Sequence, residues 1–301
     1  MPRTTLALTS FVSGELGAKL DGRTDFAKYN TGAKTLENFL IHPQGSATRR
    51  VGTQFIAEVK DSTKKTRLIP FEFSTVQTYV LEFGNQYMRV YKDKGQVQSG
   101  GSAFELATPY LEAELFEIKF AQSADVLFIC HPNHAARKLA RTGHTSWTLT
   151  EIDFTDGPYL SPNATSTTLT PSGTSGSVNI TASASTFAAT DVGRLVSFNS
   201  GRAKITGFTS ATVVAATTQV DFANTNAITD WKLGAFSGTT GHPSCVSFFE
   251  QRLVFAGTLS EPQTLYFSKS GDYENMTTGT NADDAMVYTI ASNQVNRIRY
   301  L

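Results

Sequence analysis

The residues of this chain best suited to chemistry lie in one stretch, ADVLFICHPNHAARKLARTGH, where Cys130 and His131 are adjacent, His134 follows, and His144 stands ten residues beyond it. Imidazole and thiolate are the ligands of zinc-class ions, which want three or four such groups converging. Here Pro132 breaks the stretch, no second cluster answers it, and the spacing follows no zinc pattern. The local reading is a polar turn after a buried strand, with no metal site. Carboxylates recur in near pairs, Glu112 with Glu114, Asp153 with Asp156 and Asp283 with Asp284. Such pairs suit glycoside hydrolysis or calcium, but each sits in turn or helix-flanking context, where a solvated charge is the default. A Gly-x-Ser-x-Gly elbow, a Walker A loop, a dinucleotide glycine fingerprint and a His-Glu-x-x-His helix are all absent from the sequence. The expectation is a chain that is not an enzyme, with no catalytic residues and no cofactor.

Charge narrows the partners. Of 301 residues, 26 are Lys or Arg and 26 are Asp or Glu, so the formal charge is zero. Gripping nucleic acid by phosphate electrostatics needs a basic surface, and the densest basic groups, Arg49-Arg50 and Lys64-Lys65-Thr66-Arg67, are short. They read as solvated faces or inter-subunit ion pairs. The charged fraction of 17% is below the roughly 25% of soluble domains, which fits faces covered by copies of the chain or by partners. Cys130 and Cys245 lie in apolar runs and read as buried free thiols. The stretch MPRTTLALTSFVSGELG carries no apolar leader core, and no apolar run approaches the ~20 residues of a membrane helix.

The elements that would position these groups are mainly β. Residues 1–50 form an amino-terminal assembly segment, in which Phe26, Tyr29, Ala33 and Leu36 recur at helical spacing behind an Asp25 cap and predict a short helix. Residues 51–159 read as antiparallel sheet: Phe55–Val59, Thr66–Phe73, Thr78–Phe83 and Tyr87–Tyr91, the last two joined across Gly84-Asn85 at hairpin distance. Thr108-Pro109 resembles a cap and first turn opening a brief helix through Leu115. Strands follow at Val126–Cys130, around Lys138-Leu139 and at Trp147–Phe154. Residues 161–190 contain no charge, yet β-branched runs at Val178–Thr181, Arg194–Phe198, Ala203–Phe208 and Ala211–Ala215 predict an inserted Thr/Ser-rich barrel or sandwich over 160–235. The main sheet resumes over 236–301, where QRLVFAGTLSEPQTLYFSKSGDYENM predicts two strands with Leu253, Phe255, Leu265 and Phe267 inward, and Arg252 and Asp272 tying loops. The recurring strand, Pro-bearing break and partner strand suggest propeller-like blades.

The wording of four segments is more specific than their composition. GELGAKLDGRTDFAKYNTGAKTLENFLIHPQGSATRRVGTQFIAEVK, RLIPFEFSTVQTYVLEFGNQYMRVY, FELATPYLEAELFEIKFAQSADVLFICHP and the QRLVFAG segment, in that order, resemble the tail tubular protein B or nozzle family of short-tailed bacteriophages, also called tail stabilisation proteins. The resemblance covers about 1–155 and 243–301, and the insert resembles small β-modules of some phage proteins. Gly14-Glu15-Leu16, Gly22-Arg23-Thr24-Asp25 and Leu36-Glu37-Asn38-Phe39 match the family's amino-terminal motif; Gly45, Arg49, Arg50 and Gly52 match the element after it. Gly17-Ala18 departs from it where a Ser-Pro-like turn is expected. Family members are usually much longer, so the chain reads as one piece of a split or truncated nozzle. The resemblance implies a virion structural protein: a ring, typically of six copies, below the portal-adaptor or upper tail ring. It extends the DNA ejection channel, docks tail fibres or other tail proteins, and lets genome DNA pass without specific binding. Arg23, Asp25, Asn38, Arg49, Arg50, Gln251, Arg252 and Asp272 are its motif and assembly candidates. The competing expectation is a host-surface glycan-binding module or depolymerase of the tail, for which Tyr87, Tyr91, Trp147 and Tyr159 would supply aromatic platforms.

Overall fold

Alternation in the run from Arg67 to Lys92 decides its structure, because residues two apart share one face of a strand. In the computed structural model, which describes residues 7–74 and 76–301, strands Arg67–Glu72, Thr78–Gly84 and Tyr87–Lys92 form an antiparallel sheet, extended by Glu105–Ala107. Ile69 and Phe71, Tyr79 and Leu81, Met88 and Val90 all point into one core. The hairpin loop is Asn85-Gln86, with Gly84 opposite Tyr87 and Gln86 at φ 63°. The architecture is mainly β, and the chain divides into two compact units, residues 1–56 and 57–301.

In the second unit, strands Lys119–Ser123, Val126–His131, His134–Gly143 and Ser146–Glu151 follow as a four-stranded antiparallel meander. The strand foreseen around Lys138-Leu139 is thus ten residues long. Val126–His131 is buried on both faces. Leu127 and Ile129 enter the core shared with the first sheet, while Phe128 and Cys130 enter a second core with Val246, Leu253, Phe255 and Tyr266. That second core belongs to another four-stranded meander, Cys245–Phe249, Arg252–Ala256, Thr264–Phe267 and Met286–Thr289. These meanders are antiparallel sheets, and they do not establish a propeller-like arrangement of blades. Within the last, Leu253 and Phe255 are fully buried, but Thr264 and Tyr266 rather than Leu265 and Phe267 face inward. Tyr266 takes the inward place because its ring packs edge-on against Phe236 and its hydroxyl is held by Glu261.

Residues 160–235 build a six-stranded antiparallel sheet with its own core of Val178, Ile180, Val196, Phe198, Ile205, Val214 and Phe222. Its first strand, Leu169–Pro171, is bonded through Leu169 to Ile228, just ahead of its last strand, Trp231–Leu233. The sheet therefore curls toward closure. The two ends of the module are hydrogen-bonded to each other, Leu160 N–H donating to Leu233 O at 2.9 Å. The charge-free stretch is ordered here because its Thr and Ser side chains alternate with buried Val178 and Ile180.

The first unit departs most from the sequence reading. Its helix is only a 3₁₀ turn, Tyr29–Thr31. Gly32 is extended instead, at φ −115° and ψ 169°, and pairs in parallel with Gly14. A side chain at Gly32 would meet Leu16 Cγ at 2.5 Å, so this close approach needs glycine. Asp25 does not cap; it binds Arg23. Nor is there a strand over residues 51–59. Residues 1–6 of the leader reading lie outside the described residues. Among the described residues of this unit, only Gly14, Gly32 and Gly45 are buried.

The two-sided strand generates a direct test. Ile129→Ala and Phe128→Ala should each lower unfolding stability by about 3 kcal/mol, since each opens a cavity in a different core. Urea unfolding monitored by Trp fluorescence measures this; a large loss at only one of these adjacent positions would mean that one face is wet.

Candidate functional site

Strand Val126–His131 ends in a tight turn, Pro132-Asn133, that sets His131 directly across from His134. Against this turn lies the 3₁₀ segment Glu112–Glu117. It starts later than Thr108-Pro109 suggested, because Glu114 reaches back to accept the Leu111 N–H at 2.9 Å, whereas the buried Thr108 hydroxyl has no partner. Arg67 fixes the far end of the segment, donating to Leu115 O at 2.8 Å and Ile118 O at 2.7 Å. A guanidinium there satisfies carbonyls that a helix end leaves open.

These elements bring Glu114, His131 and His134 together. His134 Nε2 is 2.8 Å from Glu114 Oε2, and Asn133 Nδ2 donates to Glu114 Oε1 at 3.3 Å. His131 Nδ1 accepts the Asn133 N–H at 3.1 Å. Its Nε2 is buried without a hydrogen-bond partner, the Glu117 carboxylate standing 3.7 Å away. Tyr110 packs edge-on against His134, ring centroids 5.2 Å apart. Burial pushes the Glu114 carboxyl upward, but its bonds from Leu111, His134 and Asn133 outweigh this and hold it at about 2. Burial lowers His131, so its ring is neutral.

Of the chemistry-bearing residues prominent in sequence, His131 and His134 converge. Cys130 and His144 do not. Cys130 points into the opposite core, where burial raises its thiol pKa, and His144 Nδ1 bonds the Tyr79 hydroxyl at 2.7 Å. Glu114 is the partner that spacing could not reveal, since only tertiary packing brings it to the turn. Of the other paired carboxylates, Glu112 accepts the Lys65 N–H at 2.9 Å, and the rest are engaged by cations: Asp153 by Lys204 at 2.7 Å, Asp156 by Arg202 at 3.2 Å, and Asp283 and Asp284 by Lys269.

Most residues that carry the sequence resemblance lie in or beside turns. Arg23 and Asp25 form an exposed two-bond pair at 2.8 and 2.7 Å. Asn38, at φ 63°, accepts from the Arg50 side chain at 3.2 Å, and Arg49 lies exposed opposite Phe39. Gln251 occupies a hairpin turn at φ 60° and accepts the Gly271 N–H at 2.9 Å. Arg252 is buried and ties loops as expected, donating to Ser268 O at 2.9 Å and Asp284 O at 2.6 Å. Asp272 is exposed in the following turn, where its N–H donates to Lys269 O at 3.2 Å. The aromatic platform does not form. Tyr87 and Trp147 are buried, Tyr91 donates to Glu82, and Tyr159 donates to Asp156 at 2.7 Å.

Beside the histidine turn opens a cleft of about 320 Å³ lined by Glu117, Lys119, Pro132, Arg297 and Tyr300 among others. Lys119 sits 4.0 Å from the Tyr300 ring centre, a cation–π contact.

The acid response follows from these groups. His131 and His242 are both lowered by burial, so the unfolded chain binds more protons than the native one as pH falls below about 6.5. Glu114 is lowered as well, and its contribution is present above the ordinary carboxylate range and lost as pH falls toward about 2. In chelator-treated protein, stability should decline in two stages, one beginning below about pH 6.5 and one below about pH 4.5. Glu114→Gln should remove much of the second stage and spare the first; urea midpoints across pH 2–8 read both.

Neither a protein-family model nor a curated protein sequence matches this chain.

Proposed function

We propose that the chain is a structural protein of a phage tail, a ring-forming nozzle component that extends the DNA ejection channel below the portal-adaptor and docks neighbouring tail proteins or fibres. One observation carries the reading beyond the sequence resemblance. The amino-terminal unit buries only three glycines among its described residues while leaving Leu8, Val12, Phe26, Phe39, Leu40, Ile41, Val51 and Phe55 exposed. A chain segment must bury apolar surface to offset its ordering entropy, and a unit without a core gains that burial from partners. Contiguous exposed apolar residues mark interaction surfaces. The strand Phe39–Ile41 is exposed at all three positions, and its ribbon partner, Ala47–Arg49, carries the motif residue Arg49.

Identical copies repeat the same surface, and a head-to-tail contact that closes by rotation makes a ring. A neutral chain suits a conduit, because dense positive charge in the lumen would hold the passing phosphates. The ring would be incorporated into virions after synthesis in the host cytoplasm.

Electron images and mass measurement of the purified chain, alone and with its adaptor ring, test the reading. Rings with a central opening are expected. A lasting monomer that binds or cleaves host polysaccharide would sink it. The double substitution Phe39→Ser with Leu40→Ser should abolish ring assembly and leave the urea midpoint of the 57–301 unit unchanged, because surface changes of this kind usually cost within about 0.5 kcal/mol.

A further inference from the structure

The assembly reading makes no use of the histidine turn. There, Glu114, His131 and His134 place one ligand atom each within 4.8 Å of one another. Independently, two of the buried side-chain polar atoms without a partner among the described residues belong to this spot: His131 Nε2 and the Tyr110 hydroxyl. His131 is 1% exposed, so water from the bulk does not satisfy it. An orphaned buried polar atom beside two further ligand groups is a place where an ion or ordered water belongs.

We infer that Glu114 Oε2, His131 Nε2 and His134 Nε2 form a binding site for a divalent transition-metal ion of the zinc class. Two imidazoles and one carboxylate favour zinc, cobalt, nickel or ferrous iron over calcium and magnesium, which prefer oxygen ligands throughout. With metal–ligand bonds of about 2.0–2.2 Å, neighbouring ligands of a tetrahedral ion lie about 3.4 Å apart. His134 Nε2 and Glu114 Oε2 are 2.8 Å apart across a hydrogen bond, and a small rotation opens them around an ion.

The protons balance. Without metal, His131 Nδ1 accepts the Asn133 amide, so the ring proton sits on Nε2. Coordination through Nε2 moves that proton to Nδ1 and releases the Asn133 amide, which lies in an exposed turn and finds water. His134 likewise keeps one proton, on Nδ1. The Glu114 carboxylate is already ionised and the His131 ring already neutral. Glu117, whose side chain is 65% exposed and 3.7 Å from His131 Nε2, or a water fills the fourth position. The ion cross-links the 3₁₀ segment Glu112–Glu117 to the turn between two sheet strands. It acts as a staple.

Tag-free protein, stripped with chelator and dialysed, should bind one zinc ion per chain with micromolar or tighter affinity by calorimetry. Cobalt should give the visible absorption of a tetrahedral site. Zinc at about 100 times its Kd should raise the thermal midpoint by several degrees. His134→Ala and the near-isosteric Glu114→Gln should each weaken binding at least tenfold, with circular dichroism of the metal-free variants unchanged. His131→Ala is the less informative variant, because it also opens the core. Absence of binding at micromolar zinc, or equal binding by wild type and both variants, would overturn the site.

Discussion

Two of the three cores of the second unit meet at one strand that has no wet face. Val126–His131 presents Leu127 and Ile129 to one core and Phe128 and Cys130 to another, so two sheets must be in place for this strand to be dry. Antiparallel strands usually show one polar face; the unbroken run VLFIC is the signature of the exception. Its neighbours obey the consequence. The preceding strand, Lys119–Ser123, is half-buried throughout, while the sheets on either side contribute large aromatic groups, Phe71 and Tyr79 on one side, joined by Trp147 of the strand's own sheet, and Phe248, Phe255 and Tyr266 on the other. Because the strand is covered on both faces, its end is covered too. That is why a histidine, His131, is 1% exposed.

A dry strand end next to a turn creates an electrostatic problem, and the surrounding elements answer most of it. Glu114 gathers the Leu111 amide, Asn133 and His134, and these bonds explain how a half-buried carboxylate stays ionised against its desolvation. Arg67 closes the other end of the same segment with two carbonyl bonds. Among the described residues, what is left over around this segment is one ring nitrogen of His131 and the hydroxyls of Tyr110 and Thr108. The carboxylates beside the inserted module are answered more simply, Asp153 and Asp156 each meeting a cation.

Much of the fold was legible where burial is decided by neighbours in sequence. The hairpin Thr78–Lys92, the β-branched strands of the insert and the return at Cys245 all follow from alternation and turn residues. Parity failed at Thr264–Phe267, because Tyr266 is amphipathic: its ring enters the core while Glu261 holds its hydroxyl. The helix expected from Phe26, Tyr29, Ala33 and Leu36 failed for a deeper reason. Helical periodicity predicts structure only when a core exists for the apolar face to meet, and the amino-terminal unit has none among its described residues. The candidate site was half legible. Its histidines stand three residues apart in sequence, but Glu114 reaches them through the 3₁₀ segment, and no spacing rule connects a carboxylate to a turn formed by later strands.

The two units thus solve opposite problems. Residues 57–301 bury apolar side chains in three cores and spend polar groups on internal ties, Arg252 on loop carbonyls and the buried Arg194–Asp191 pair at 2.9 Å. Among its described residues, the unit 1–56 buries no apolar side chain larger than glycine and orders the backbone by glycine contacts and short ribbons. Such ribbons are marginal on their own. A segment of this kind is economical only if its surface is completed elsewhere, because exposed Phe39, Leu40 and Ile41 on a short strand invite pairing with other chains. The same exposure that would be a liability in a solitary protein is what the proposed assembly would require, and it lies on the unit that carries Arg23, Asp25, Asn38, Arg49 and Arg50.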